Sequence, residues 1–478
     1  MIHSESRTKI IATLGPASTT KEIIQRMVLG GVDVFRLNFS HSTQAEYLRV
    51  IHIIQKIDRE SDIRISVLAD LQGPKLRIGK IENNRLELLK DDIVTFITDN
   101  CLGIKEHIYM SYQEFPQDVN IGETILIDDG KIKLEVTDTD KQKVVKARVI
   151  YGGVLSSNKG VNLPNTHISL PCLTQEDISN AIFAMQQHVD WIGLSFVRQA
   201  ADVLQLKELI KQYNSDALVI AKIEKPEALT EIDRIIELAD GIMIARGDMG
   251  VEVSFDRVPL IQKSIVDKCL SQSKPVIIAT QMMESMITNF EPTRAEANDV
   301  ANAVLDGADA LMLSAETAVG SYPLETINCM QRIIDYTEKY AELPYKLTNK
   351  YVPLKNSLNF LPDSICFNAS VLAEQVGAKA IILFTHSGYT AIKVSAYRPH
   401  ANIYAFTDNK NLLRQLPLVW GIKSFHLKIF NQLNQAITKS IDILKQQLLL
   451  TEGDCVIFVG STPLSEHGNT NMLKVFSV

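Results

Sequence analysis

Hydrophobic positions along the chain fall into short apolar runs that alternate with stretches of helical period. Residues 8–14 (TKIIATL) end at Gly15-Pro16 and predict a strand. Ser18 or Thr19 is placed to cap a helix running to about Leu29, closed by Gly30-Gly31. A second strand covers 34–37, a helix 43–60 and a third strand 65–69, which ends at Asp70. The texture then changes. From Gly73 to about Leu170 the helical period vanishes and short alternating segments take over (LELL, IVTFIT, TILI, IKLEV, KVVKARVI), punctuated by turns such as Asp128-Asp129-Gly130. A loop of about a hundred residues is foreign to a compact domain, so this stretch predicts an inserted all-β domain.

Helix–strand alternation then resumes. A helix covers 174–188, with Thr174 and Asp177 at capping-box spacing. Apolar runs at 192–196, 219–221, 242–245, 275–280 and 311–313 read as strands, and those at 219–221 and 242–245, short and without a breaker, as buried parallel ones. A helical pattern opened by Pro226 separates the runs at 219–221 and 242–245, and further helices are predicted at 256–271, 294–305 and 324–340. Val32-Asp33, Val189-Asp190, Ala239-Asp240 and Ala308-Asp309 each stand just before an apolar strand, a recurring αβ turn in a serial array. About eight strand–helix units in about 230 residues, insertion excluded, match a (β/α)8 TIM barrel. A turn-rich linker follows Leu343. Beyond it strands at 380–385, 402–407 and 456–459 and helices at 363–376, 389–397 and 431–449 predict a further α/β domain. The expected division is a barrel over 1–72 and 172–345, an inserted small all-β barrel acting as a lid over 73–171, and a C-terminal α/β domain over 346–478.

Composition narrows the function. The net charge of −7 and the lack of any basic run disfavour nucleic acid as a partner. No apolar run is long enough to span a membrane, and MIHSESRTKI lacks the form of a secretory signal. The six cysteines make no CxxC pair, as expected of reduced thiols in a cytoplasmic protein.

Active sites of such barrels lie at the C-terminal strand ends. Those tips carry Arg36, Asn38, Ser40 and His41, then Asp70 and Arg77, Ser195, Lys222 and Glu224, Arg246, Gly247 and Asp248, Thr280 and Gln281, and Ser314 and Glu316. The βαβ unit over 218–253 sets Glu224 beside Asp248, next to Lys222. Two carboxylates there suit Mg²⁺ or Mn²⁺, and a salt-bridged rim is the alternative. Arginine and lysine suit phosphate and carboxylate. Phosphoryl transfer needs this mixture, because its catalysis is mainly positioning and charge neutralisation. Neither a GxxxxGK[ST] loop nor a GxGxxG fingerprint is present, so a nucleotide must be held by the barrel mouth and the inserted domain. Plainer roles are open to some tips: Arg246 as a rim salt bridge, Ser195 as a polar strand end, His41 as a turn cap. Met282, Met283 and Met286 read as core filling.

Long collinear motifs add a resemblance. RLNFSH (36–41), ADLQGPKLRIG (69–79), NKGVNLP (158–164), KIE (222–224), MIARGDMGVE (243–252), IIATQMMESM (277–286), PTRAEANDVANAVLDGADALMLSAETAVGSYP (292–323) and THSG (385–388) resemble those of pyruvate kinases over essentially the whole chain. The resemblance implies transfer of the phosphoryl group of phosphoenolpyruvate to ADP, in a cytoplasmic homotetramer. A pyruvate-enolate aldolase or another phosphoenolpyruvate-using barrel would share the metal pair. The insertion with Lys159, and Lys222 two residues before Glu224, argue against that rival.

Carried over by motif, Glu224 and Asp248 are implied metal ligands and Lys222 the group that neutralises the phosphoryl and enolate charge. Arg36 is implied for the substrate phosphate, Gly247 for the substrate carboxylate through its amide, and Thr280 for protonation. Ser314 and Glu316 are supporting candidates. Asn38, His41, Arg77 and Lys159 resemble nucleotide contacts, with Lys159 on a domain that closes over the mouth. Asn38, Ser40, Asp70 and the carbonyl of Leu71 match the K⁺ site of many relatives. Those relatives carry glutamate where this chain has Lys75, whose ammonium is expected to replace K⁺ and remove the requirement for it. Glu176 stands where many relatives have a nucleotide-holding lysine, which weakens that segment as an ADP contact. Thr385, Ser387, Gly388 and Thr390 form a small-polar loop that resembles the family's effector cradle, with residues 468–471 as its flap. No arginine follows Arg414, so a monophosphate activator is expected over a bisphosphate.

Overall fold

Eight parallel strands close into a barrel in which each strand pairs with its neighbour in chain order, and Lys9–Thr13 pairs with Ala310–Leu313 to seal the ring. The others are Val32–Asn38, Ser66–Asp70, Trp191–Leu194, Leu218–Ile223, Gly241–Ala245 and Val276–Ala279. The computed structural model describes residues 6–40, 42–61, 63–341, 351–428, 432–463 and 469–478. Its strands are buried on both faces, which is why they read as unbroken apolar runs. Ile11, Val34, Leu68, Trp191, Ile220, Met243 and Ile277 fill the interior, while alternate residues such as Ile10, Ala12 and Phe35 pack against the outer helices.

Helix boundaries follow their caps. Thr43 and Thr174 cap Gln44–Glu60 and Gln175–Gln186 with full capping boxes. The first helix, Lys21–Leu29, is capped by Thr20 and not by the expected Ser18 or Thr19, because Ser18 is spent closing the turn with Gly15. The pattern after Pro226 splits into Pro226–Thr230 and Ile232–Leu238.

The four recurring aspartates clamp the barrel's N-terminal end. Asp33, Asp190, Asp240 and Asp309 accept the backbone N–H of Ile10, Val67, Val219 and Val276 at 3.0, 2.8, 2.9 and 3.0 Å, each reaching to a neighbouring strand. Each also meets a cation. Lys9 and Lys207 serve Asp33 and Asp240, whereas Arg414 and Arg398 of the C-terminal domain serve Asp190 and Asp309. The turn motif therefore also docks a domain. Leu418 completes the contact by sealing the bottom of the barrel interior.

The insertion folds around its own core as a six-stranded sheet with a two-stranded companion. In the C-terminal domain four parallel strands and the antiparallel edge Met472–Ser477 form one sheet. No helix among the described residues is long and apolar enough to cross a membrane.

Candidate functional site

Asp70 ends the third strand, fully enclosed, and gathers two cations. Arg36, from the adjacent strand, reaches its Oδ2 through Nε at 2.7 Å and Nη2 at 2.6 Å. Lys222 Nζ lies 3.2 Å from its Oδ1. Burial alone raises the Asp70 carboxyl, but the charges of Lys222 and Arg36 outweigh it and hold the group below the usual carboxylate range. The third donor of Arg36, Nη1, rests on Thr13 Oγ1 at 3.0 Å.

Lys222 stands on the strand Leu218–Ile223 and also contacts Glu224 Oε1 at 2.9 Å. Burial works against its charge, yet Asp70 and Glu224 raise it above its ordinary value. Glu224 Oε2 accepts the N–H of Phe196 at 2.9 Å, a residue bent to φ 55° just past the fourth strand. Burial first, with Asp248 nearby, pushes the Glu224 carboxyl up to about 6 against the pull of Lys222.

The neighbouring strand Gly241–Ala245 runs straight into a short helix, Arg246–Glu252, which brings Gly247 and Asp248 to the same mouth. Thr280, at the end of the seventh strand, is held at φ 70°, a strained conformation for a β-branched residue. Its Oγ1 accepts the Gly247 N–H at 2.6 Å and donates to the Ala279 carbonyl at 2.6 Å. A Cβ on Gly247 would sit 3.2 Å from that hydroxyl, a tight contact that would push the Thr280 side chain back by a few tenths of an ångström. Arg246 is paired with Asp299 at 2.7 Å and with the Thr280 carbonyl at 2.8 Å, the rim salt bridge its position suggested. Glu316 takes the N–H of Ser314 at 2.7 Å and shapes the turn after the eighth strand.

Asn38 and Ser40 sit together near Asp70, with the Ser40 N–H on Asn38 Oδ1 at 3.3 Å. His41 lies outside the described residues, as does Gly468 of the expected flap. Lys75 is exposed and lines a cleft between barrel and insertion with Gly160, Asp129 and Asp248. On the inserted domain, Arg77 Nη1 holds the Asn158 carbonyl at 3.0 Å and Lys159 pairs with Asp128 at 2.8 Å. In the C-terminal domain, Gly388 at φ 86° opens the helix Tyr389–Ala396, Thr385 Oγ1 accepts the Gly388 N–H at 3.0 Å, and the buried Thr390 hydroxyl meets that of Thr470 at 2.7 Å.

One group escaped the sequence reading. Ser195 is no idle strand tip, for its Oγ accepts from Lys222 Nζ at 2.7 Å and donates to the Leu71 carbonyl at 2.6 Å. Its position on the roll of strand ends was the only signal.

Comparison with known proteins agrees with this architecture. The family model for the pyruvate kinase barrel domain matches residues 5–327, and that for the pyruvate kinase alpha/beta domain matches 363–476. A pyruvate kinase of Geobacillus stearothermophilus is 40% identical over 473 residues, spanning 98% of this chain and 80% of that one. One from Staphylococcus aureus is 37% identical over 99% of this chain and 80% of its own length. The crystal structure of a pyruvate kinase from Cryptosporidium parvum superposes with a TM-score of 0.93 at 33% identity, covering 99% of this chain and 96% of that one. The chain belongs to the pyruvate kinase family, and it is a phosphotransferase.

Proposed function

We propose that this pyruvate kinase moves the phosphoryl group of phosphoenolpyruvate to ADP with Lys222, Arg36 and Thr280 as its working groups. The observation that carries the reading is the buried Lys222 ammonium, 2.9 Å from Glu224 and 3.2 Å from Asp70, at a strand end beside Asp248. Two unit charges about 4 Å apart interact by about 4 kcal/mol at an effective dielectric near 20, so a fixed cation there favours charge that builds on the phosphoryl and enolate oxygens. Arg36, pinned by Asp70 and Thr13, keeps further N–H groups for the substrate phosphate. The Gly247 amide would take the substrate carboxylate once Thr280 releases it, and the freed Thr280 hydroxyl would stand where a proton must reach the methylene carbon.

Glu224 and Asp248 would hold Mg²⁺ or Mn²⁺. Mg²⁺ and Mn²⁺ bind through one or two carboxylates and leave their other positions to water and substrate oxygens, which this pair of carboxylates suits. When bound, the ion supplies positive charge to phosphoryl and enolate oxygens. Asn38, His41, Arg77 and Lys159 would serve the nucleotide, and closure of the inserted domain would keep water from the phosphoryl group. Lys75 would supply the charge that K⁺ brings elsewhere, leaving Asn38, Ser40, Asp70 and Leu71 without a bound K⁺.

Thr385, Ser387, Gly388 and Thr390 would cradle a monophosphate activator. Titrating sugar monophosphates, AMP and a bisphosphate against phosphoenolpyruvate saturation tests this, and activation by the bisphosphate alone overturns it. Assembly as a cytoplasmic homotetramer fits the family. The test of the main reading is a lactate-dehydrogenase-coupled assay with phosphoenolpyruvate and ADP. The native chain turns over, Lys222→Ala binds phosphoenolpyruvate but barely turns over, and unchanged turnover contradicts the mechanism.

A further inference from the structure

Next to Asp248 the cleft holds a second buried pair that the roles above leave unused. Lys225 and Glu252 are 6% and 7% exposed, and Lys225 Nζ lies 2.6 Å from Glu252 Oε1. Asn162, from the inserted domain, donates its Nδ2 hydrogen to the same oxygen at 2.8 Å. The other oxygen, Oε2, is buried with no hydrogen-bond partner among the described residues. A carboxylate out of water is stable only when a cation and donors hold it, so the lysine fixes Glu252 in place and leaves it an acceptor aimed at the insertion.

We infer that the Lys225–Glu252 pair is the seat on which Asn162 sets the register of the inserted domain over the mouth, which makes these three positioning residues for the nucleotide half of the reaction. The inference rests on the reading that Lys159 serves the nucleotide. Two connections give it force. Glu252 closes the helix that carries Gly247 and Asp248, and Asp248 lies one turn back on the same face. On the other side, Asn162 is three residues from Lys159, at most about 11 Å along the chain. That stretch is braced, since Val161–Asn162 pairs with Ile127 and Leu126 while Lys159 binds Asp128. A shift of Asn162 on its seat therefore carries Lys159 with it, relative to the helix that bears the metal and substrate groups.

The test uses the full chain and steady-state kinetics in both substrates. Asn162→Ala raises KM for ADP about tenfold and leaves KM for phosphoenolpyruvate within about twofold. Lys159→Ala run beside it separates the two claims. An unchanged KM for ADP in Lys159→Ala sinks the nucleotide reading. A raised value there with an unchanged one in Asn162→Ala sinks the seat. Exchange of charge across the cleft supplies the rescue. Asn162→Asp sets two carboxylates together and does worse than Asn162→Ala. Adding Glu252→Gln restores a donor–acceptor pair, gives Lys225 a partner on the insertion, and recovers most of the loss. A folded double variant that recovers nothing overturns the inference. Should the double variant fail to fold, Asn162→Ala, at a half-buried position, decides alone.

Discussion

Lys222 Nζ donates to Ser195 Oγ at 2.7 Å, and the Ser195 hydroxyl passes its own hydrogen to the Leu71 carbonyl at 2.6 Å. The serine thus reads the lysine's position against the backbone of the third strand's tip. A hydrogen bond to a charged group contributes about 1.5–3 kcal/mol. Ser195→Ala is expected to lower kcat by roughly 10- to 100-fold, with a smaller change in KM for phosphoenolpyruvate. Steady-state kinetics checks it, and a loss confined to KM would make Ser195 a binding group only.

Two of the site's carboxylates, Glu224 and Asp70, are shifted in opposite directions. Burial, with Asp248 beside it, sets Glu224 up to about 6, whereas Asp70 lies below the usual range because Lys222 and Arg36 outweigh its burial. On acidification Glu224 gains a proton first and Asp70 later. Protonated Glu224 is a poor metal ligand, so kcat/KM is expected to fall through about pH 6 at limiting Mg²⁺. Proton and metal compete for the same oxygens, and tenfold more Mg²⁺ should move the acid limb down by about one pH unit. A limb that ignores Mg²⁺ would assign the titration to another group.

Much of this was legible in the sequence because barrel strands are local objects. The apolar runs ending in Arg36, Asp70, Lys222 and Thr280 are the strands found, and chain order dictates which tips adjoin. What escaped was non-local or masked by composition. Asp190 and Asp309 read as turn residues, since Arg414 and Arg398 lie more than two hundred and about ninety positions away respectively. The helix Arg246–Glu252 is hidden by the two glycines of RGDMGVE, which have the worst helix propensity short of proline. Strand Ile422–His426 alternates with polar residues at one side of the C-terminal sheet, and Met472–Ser477 is the exposed antiparallel edge, so neither shows the unbroken apolar run of a buried strand.

Lys75 gives a prediction about ions. The exposed Lys75 lines the cleft that contains Asp248 and Gly160. On the proposal that the Lys75 ammonium stands in for K⁺, exchange of K⁺ for tetramethylammonium is expected to leave the rate within about twofold, because a tethered cation acts at high effective concentration. Lys75→Glu should make the enzyme require K⁺. A large loss in the native chain on removing K⁺ would refute this.

The two arginines that dock the C-terminal domain are expected to differ in strength. Arg398 has a side chain 1% exposed, lies 2.9 Å from Asp309 Oδ2, also binds the Gly307 carbonyl at 2.9 Å, and stacks 4.8 Å over the Trp420 ring. Asp309 further receives the N–H of Trp420 at 3.1 Å and of Val276 at 3.0 Å, so it ties two domains through one carboxylate. Arg414 is 29% exposed, and burial pushes its partner Asp190 up to about 7 even with the arginine beside it. Removing Arg398 strands the buried Asp309 charge, at a cost of about 3–5 kcal/mol, whereas Asp190, already pushed up to about 7, can take up a proton when Arg414 is lost, which limits the cost. Arg398→Met should therefore destabilise the chain several times more than Arg414→Met. Urea and thermal melts of both variants measure the difference at pH 7. Equal shifts would mean that burial does not set the strength of these contacts.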